Sequence, residues 1–425
     1  MGSTRELVTR QKAMDCRRAL EALRSGVPNR EAVNMLGSNQ TAAERVFLDR
    51  LASVPAAAKE GRQVDGLLLS GGFGAGKSHL LDYLAHASVE RNFVCSRVVI
   101  SKETQLFDPV KMFTAAVEGT AVPSLSGEAV REIALRLQPN SRRHAAFLAW
   151  ANSPTSGLSD LFRATILLHD RLSNDPELVD EITTFWSGEK ISLARVRQGL
   201  KQIGCAADFA LQAVKVKDLA LQRFLFASRL IVAAGFNGWV LLIDEVELAG
   251  RYSLLQRGRS YAELARWMGR IEGHGCPGLL TVAAITDDFA LAVLQEKKDR
   301  ENIGPRLRAK ETDEFLSLAA RAETGMRLIE REALSLAPPG DDTLRETYQR
   351  LKSMHAIAYR WDPPELPVAV SSRTRRLRSY VRRWVNEWDL LRLYPGTELQ
   401  VESEETTGPH YTEDAALEHS AEETS

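Results

Sequence analysis

A glycine-rich octapeptide constrains the fold of this chain more than any other feature of its sequence. It has the P-loop pattern G-x-x-x-x-G-K-[ST], and its residues are Gly71, Gly72, Phe73, Gly74, Ala75, Gly76, Lys77 and Ser78. The glycines allow a tight turn in which successive backbone N–H groups converge on phosphate oxygens. Lys77 adds a positive charge to these groups, and the hydroxyl of Ser78 can coordinate Mg²⁺. The pattern therefore predicts an α/β nucleotide-binding fold.

The residues on either side of the octapeptide support this interpretation. Residues 66–70 are a short apolar run typical of a buried strand, and residues 79–85 have the apolar spacing of a helix. The phosphates would then lie at a helix N-terminus, with His79 as the next contact after the loop. Asn39 and Gln40, which precede the first strand, are candidates for contact with adenine, or else form a turn and a helix cap.

A second motif indicates hydrolysis. Residues 239–245 are a continuous apolar run that ends in two carboxylates, as in a Walker B strand. We expect Asp244 to hold Mg²⁺ together with Ser78, and Glu245 to polarise the attacking water. This Asp-Glu pair is typical of hydrolytic ATPases rather than P-loop kinases or Ras-like GTPases. Glu247 either points into the same site or caps a helix.

Polar residues further along the chain are candidates for sensing the nucleotide. Thr286 follows a buried run at 278–285 and would act as a "sensor 1" side chain, as a helix cap, or as both. Arg300, Arg306 and Arg308 lie where an arginine finger would reach a neighbouring subunit, and we favour Arg306. The alternative for these arginines is a solvated basic loop.

The last predicted helix is rich in arginine. Arg375 or Arg376, at its N-terminus, would serve as a "sensor 2" residue that contacts the γ-phosphate, and we favour Arg376 for catalysis and Arg375 for nucleotide contact. Alternatively, the outward arginines of this helix contact the DNA backbone, or form an exposed face of no special role. A combination, with sensor 2 at the N-terminus and DNA contacts further along, is our prediction.

Together, these motifs predict a P-loop NTPase of AAA+-like type, with a parallel sheet flanked by helices. Its parts are an N-terminal helical segment (1–60), an ATPase core (61–314), a helical lid (315–395) and a disordered acidic tail (396–425). Within the core, far more chain separates the second strand from Walker B than one crossover helix requires. Since residues from about 105 to 234 are also rich in helical patterning, they are interpreted as a helical insertion. We expect this insertion to bind a partner or a substrate, or else to enlarge the core.

The cysteine content suggests a cytoplasmic protein, and the charge is unevenly distributed along the chain. The net charge is −1, but residues 396–425 contain nine acidic side chains and no Lys or Arg, so the remainder is net positive. The tail either solvates the protein or competes with nucleic acid for a basic surface. The four cysteines are far apart and lack zinc spacing, and we expect no membrane segment.

Four strings, at residues 18–30, 71–80, 99–104 and 380–388, resemble BrxD-like P-loop ATP-binding proteins of bacterial BREX (bacteriophage exclusion) systems. The resemblance extends over roughly residues 15–395. The N-terminal and C-terminal strings distinguish this family, since the two nucleotide motifs occur in any AAA+ ATPase. The resemblance implies a cytoplasmic ATPase of phage defence that acts with other components of its system on DNA.

Taken together, these features predict an AAA+-type ATPase that binds ATP and Mg²⁺. We expect an ATP-dependent homo-oligomer that contacts DNA non-specifically and acts on a partner such as a helicase. The alternative is a nucleotide-gated signalling or scaffold protein that binds ATP with negligible turnover.

Overall fold

The computed structural model describes residues 2–25, 29–124, 128–139, 141–338, 340–366, 377–396 and 410–417. Six strands form one sheet in the order β3-β2-β4-β5-β1-β6. The strands are β1 (Leu67–Ser70), β2 (Val94–Val99), β3 (Thr120–Ala121), β4 (Trp239–Asp244), β5 (Leu279–Ile285) and β6 (Leu334–Ser335).

The sheet is parallel except for β3, which pairs antiparallel with β2. Strands β1, β4 and β5 are buried along their whole length, as expected for parallel strands covered on both faces. Because β5 lies between β1 and β4, the carboxyl ends of these three strands meet at one edge. Ser70 is opposite Ile285, and Ile243 is opposite Ala283. The expected α/β architecture with a mostly parallel sheet is confirmed.

Sixteen α-helices lie within the described residues, in addition to short 3-10 segments and one π-helix at Ala290–Glu296. They are α1 (Gly2–Ser25), α2 (Arg30–Leu36), α3 (Thr41–Lys59), α4 (Lys77–Glu90), α5 (Pro109–Glu118), α6 (Ala129–Leu135), α7 (Arg142–Ala151), α8 (Asp160–Arg171), α9 (Pro176–Ser187), α10 (Leu193–Gln202), α11 (Val216–Ala233), α12 (Leu254–Trp267), α13 (Asp299–Arg308), α14 (Asp313–Arg331), α15 (Asp341–Tyr359) and α16 (Leu377–Leu393).

Each face of the sheet has its own apolar core. On one face, α3 and α4 bury Phe47 and Leu80 against strand residues such as Val240. On the other face, the insertion forms a larger core with α12 and α14, in which Phe224 stacks on Trp239 with ring centroids 5.6 Å apart. Helices α5 to α11 thus enlarge the core of the protein, in addition to any other role.

A third apolar cluster, the lid core, joins the two ends of the chain. It brings Cys16 and Leu20 of α1 against Tyr348 of α15 and against Trp384 and Trp388 of α16. Arg24 of α1 also pairs with Asp389 of α16. The N-terminal helices are therefore divided: α1 and α2 belong with the C-terminal helices, whereas α3 lies under the sheet.

Helix α14, which we placed in the lid, packs instead in the core beneath α12. The contact is close because position 325 is glycine: a Cβ there would lie 2.0 Å from the carbonyl oxygen of Tyr261. After α14 the chain forms β6, which pairs with β1. In the structure, then, the lid core is made by α1, α2, α15 and α16.

Part of the tail that we expected to be disordered lies against the core at residues 410–417. Tyr411 is buried, with its ring edge-on to Phe289 at a centroid distance of 5.6 Å. Glu413 pairs with Arg257 at 2.7 Å, and Asp414 pairs with Arg251 at 2.8 Å. The expectation rested on composition alone, which cannot show that one aromatic ring and two acids match a complementary surface. Residues 397–409 and 418–425 are outside the described part of the chain.

Candidate nucleotide-binding site

The P-loop connects β1 to α4 at the carboxyl edge of the sheet. Gly74 and Gly76 have φ values of 80° and 94°, a region that favours glycine. A Cβ added to Gly76 would meet no atom within 4 Å, so the loop borders open space. A ligand could therefore approach the backbone of the loop at Gly76 without meeting another side chain.

Backbone N–H groups gather where α4 begins. The first hydrogen bond of this helix runs from the N–H of Leu80 to the carbonyl of Gly76, at 2.9 Å. The N–H groups of Lys77, Ser78 and His79 consequently have no acceptor within the helix. Together with the helix dipole, they make this end of α4 favourable for an anion.

The side chain of Lys77 is buried and lies along the loop. Its Nζ donates to the carbonyl oxygens of Gly71 at 2.9 Å and Gly72 at 3.4 Å. It also lies 3.7 Å from Oε1 of Glu247. The ammonium group is thus held by hydrogen bonds to two loop carbonyls, with the carboxyl group of Glu247 beside it.

Asp244, at the end of β4, is held on both carboxylate oxygens. Oδ1 accepts the backbone N–H of Glu245 at 3.0 Å, and Oδ2 accepts Nη2 of Arg97 at 3.0 Å. Arg97 lies on the adjacent strand β2 and also pairs with Asp82 of α4. Sequence reasoning missed Arg97, although a single arginine inside a buried apolar strand beside Walker B is a signal that could have found it.

Glu245 has a backbone conformation that is unusual for a non-glycine residue, with φ 59° and ψ 35°. Burial, and then the charge of Asp244, raise the pKa of Glu245, whereas the positive charges of Lys77, Arg378 and Arg97 act to lower it. Arg378 belongs to α16, so the lid helix brings a cation into the electrostatic environment of Glu245.

Glu247 is only 3% exposed and lies beside Lys77. Burial raises its pKa to about 7, although Lys77 acts in the opposite direction. Its Oε2 forms no hydrogen bond with the residues that the structure describes. The sequence left open whether Glu247 points into the site or caps a helix. In the structure its side chain points toward the P-loop lysine.

Thr286 follows β5, between the ends of β1 and β4. It is 2% exposed, and its Oγ1 lies 2.6 Å from the hydroxyl of Tyr411. The same hydroxyl donates to Oδ1 of Asp288 at 2.9 Å. Tyr411 was missed because nothing in the sequence of the acidic tail relates it to a strand end 125 residues away.

The finger candidates differ in their surroundings. Arg300 lies 3.5 Å from Glu330, and Arg308 makes two hydrogen bonds to Glu323, at 2.6 and 2.7 Å. Arg306 is exposed and forms no ion pair within the part of the chain that the structure describes.

Both sensor 2 candidates, Arg375 and Arg376, lie outside the described residues. The described part of helix α16 begins at Leu377 and includes Arg378.

The segment before α3 contacts both the P-loop helix and the start of the lid. The ring of His79 lies 2.7 Å from the carbonyl oxygen of Gly37, so this side chain faces the segment rather than the loop. Gln40 exchanges two hydrogen bonds with the backbone of Ala337, and Asn39 reaches Thr347 of α15 at 3.5 Å. Residues 37–40 thus line the junction between lid and core.

The fold and the site are consistent with the P-loop class of α/β nucleotide-binding proteins. Residues 12–134 match the family described as BREX system ATP-binding protein BrxC/D, which confirms over these residues the resemblance noted in the sequence. The match includes the P-loop and ends before β4. No curated protein and no solved structure matches the chain. Among the helices described, none is both long and apolar enough to cross a membrane.

Proposed function

We propose that this protein is an AAA+-type ATPase of a BREX phage-defence system, which binds ATP and Mg²⁺ at the P-loop and hydrolyses the nucleotide. One observation carries the proposal: the P-loop lysine, Lys77, is buried at the sheet edge where β4 ends in Asp244, and its charge acts on Glu245. The family match supports ATP as the ligand.

The residues present fit an ATP–Mg²⁺ complex. The orphan N–H groups at the start of α4 suit phosphate oxygens, and glycine at position 76 leaves the space that a Cβ would fill. Mg²⁺ is usually bound by one or two protein oxygen ligands together with substrate phosphates, and Ser78 and Asp244 would provide a hydroxyl and a carboxylate for it. No group of three His, Cys, Asp or Glu side chains suitable for a metal occurs among the described residues. Bound Mg²⁺ would neutralise charge that develops on the phosphates.

Each polar residue then has a distinct task. Lys77 would leave the carbonyls of its own loop and donate to phosphate oxygens. Glu245 would accept a hydrogen bond from the attacking water, and its raised pKa makes it a better base than an ordinary glutamate. Thr286, which follows β5 between the P-loop strand and the Walker B strand, would act as the sensor 1 side chain.

Arginines would complete the site from two directions. Arg378 of the lid already acts on Glu245, which makes it a sensor 2 candidate beside Arg375 and Arg376. Exposed Arg306 is the finger candidate, so we propose an ATP-dependent homo-oligomer in which it reaches the neighbouring subunit's nucleotide. The cycle would drive assembly on DNA or on a partner such as a helicase, in the cytoplasm.

The Glu245→Gln variant tests the hydrolytic role. We expect it to bind ATP like the wild type but to release phosphate about a hundredfold more slowly, because it lacks the carboxylate that polarises water. Multiple-turnover phosphate release, measured with and without DNA, provides the rates. The matched control is Glu177→Gln, which makes the same change at an exposed position of α9. Unchanged turnover in Glu245→Gln would contradict the assignment, and negligible turnover in the wild type would favour the nucleotide-gated scaffold instead.

A further inference from the structure

Tyr411 connects the C-terminal segment 410–417 to the end of β5 through one phenolic oxygen. That oxygen lies 2.6 Å from Oγ1 of Thr286 and 2.9 Å from Oδ1 of Asp288. The donor and the acceptor in each of these two hydrogen bonds can be assigned from the number of protons available.

A phenol has one proton, and an ionised carboxylate can only accept. The proton of Tyr411 therefore points to Asp288, and the phenolic oxygen must accept the hydroxyl proton of Thr286. Burial raises the pKa of Tyr411 well above its usual range, which keeps the phenol protonated. With its only proton committed to Tyr411, Thr286 can offer just oxygen lone pairs to a further partner.

The segment that carries Tyr411 is firmly held. Glycine at position 250 makes room for the ring, since a Cβ there would lie 2.8 Å from Cδ1 of Tyr411. Arg257, which receives Glu413, is itself 3% exposed and fixed by two hydrogen bonds of 2.8 Å to Asp299. The segment is thus anchored to buried groups rather than lying loosely on the surface.

We propose that Tyr411 is a positioning residue for the hydrolysis proposed above, and that it holds the hydroxyl of Thr286 as a hydrogen-bond acceptor. Phosphate oxygens accept hydrogen bonds, whereas water can donate them. A Thr286 oxygen with only lone pairs to offer is suited to the attacking water and not to the γ-phosphate. The inference rests on the proposed function, and it gives the acidic C-terminal segment a part in the site.

The test is a double-mutant cycle between Tyr411→Phe and Thr286→Val, in which ATP affinity and kcat are measured separately. Phenylalanine keeps the ring packing but removes the hydroxyl. We expect Tyr411→Phe to lower kcat about five- to tenfold, the equivalent of one lost orienting hydrogen bond, with the Kd for ATP unchanged. In the Thr286→Val background the same substitution should have no further effect, because the group it positions is already absent.

Two further variants distinguish this role from simple stability. Asp288→Ala removes the acceptor of the phenolic proton, which can then turn to Thr286, and should cause a similar loss of kcat. Thr412→Val, at the exposed neighbour of Tyr411, is the control and should behave as the wild type.

Three results would overturn the inference while ATP turnover by the wild type stands: an unchanged kcat in Tyr411→Phe, an increased kcat, or an equal loss of kcat with and without the Thr286 hydroxyl. Absence of turnover in the wild type would instead overturn the proposed function, and this inference with it.

Discussion

At the scale of single residues, the candidate site balances its charges within the protein. Lys77 lies beside Glu247, and Arg97 pairs with Asp244. Phosphates and Mg²⁺ would bring their own charges, so binding exchanges these internal contacts for contacts with the ligand. Affinity in such a site is the difference between two sets of charged interactions, rather than their sum.

Glu247 provides a pH-dependent test of this balance. The pKa of Glu247 is raised from 4.5 to about 7 in the folded protein. Between these two pH values, the folded state therefore retains a proton that the unfolded state has lost. The resulting stabilisation is fully present below pH 4.5 and disappears as the pH rises through 7. Between pH 5 and 8, Glu247→Gln should therefore gain up to roughly 3 kcal/mol of unfolding free energy relative to the wild type.

Urea unfolding without nucleotide, at several pH values, measures the difference. Glu301→Gln, at an exposed position of α13, is the control. A stability difference between Glu247→Gln and the wild type that does not vary with pH would show that Glu247 does not titrate in this range.

The residues that follow sequence motifs could be located from the sequence, whereas their partners could not. Lys77, Asp244 and Thr286 could be placed at a loop and at strand ends because local patterns mark these positions. Arg97 and Tyr411 act on residues 147 and 125 positions away, and only the folded sheet brings them together.

At the scale of elements, the strands around the site were the most predictable parts of the fold. The predicted first strand at 66–70 is β1 at Leu67–Ser70, and the predicted Walker B run ends with β4 at Asp244. The two-residue strands β3 and β6 were missed because so short a segment carries no alternating pattern. Helix α14 was misplaced because an amphipathic pattern shows that a face is buried, but not against which element.

The two roles proposed for helix α16, sensing the nucleotide and contacting DNA, can be tested by separate substitutions. The charge of Arg378 acts to lower the pKa of Glu245, whereas Arg382 lies one turn later on the helix and is exposed. We expect Arg378→Ala to slow ATP hydrolysis about tenfold, as for loss of one charged contact, and to leave the lid folded. Arg382→Ala should leave hydrolysis unchanged, and its DNA affinity should depend less on salt, by about 0.9 in logarithmic slope.

Phosphate release and titration of labelled DNA at several salt concentrations provide both readouts for each variant. Equal ATPase rates in Arg378→Ala and the wild type would remove Arg378 from the site. An unaltered salt slope in Arg382→Ala would remove this residue from DNA contact.

At the scale of the whole molecule, segments far apart in the sequence pack together around the ATPase core. The lid core joins α1 and α2 to α15 and α16, and the 410–417 segment reaches the end of β5. The family match over residues 12–134 therefore spans helices of the lid core as well as the P-loop. Composition suggested separate N-terminal, core and C-terminal parts because it contains no information on contacts between distant segments.

The most direct test of the account is the affinity of Lys77→Ala for ATP–Mg²⁺, measured by equilibrium titration beside the wild type and Lys201→Ala. Lys201 is exposed on α10, in the insertion, and controls for the loss of a lysine. We expect Lys77→Ala to bind at least tenfold more weakly, because it loses charged hydrogen bonds to phosphate, and Lys201→Ala to bind like the wild type. An equal affinity in Lys77→Ala and the wild type would contradict nucleotide binding at this P-loop.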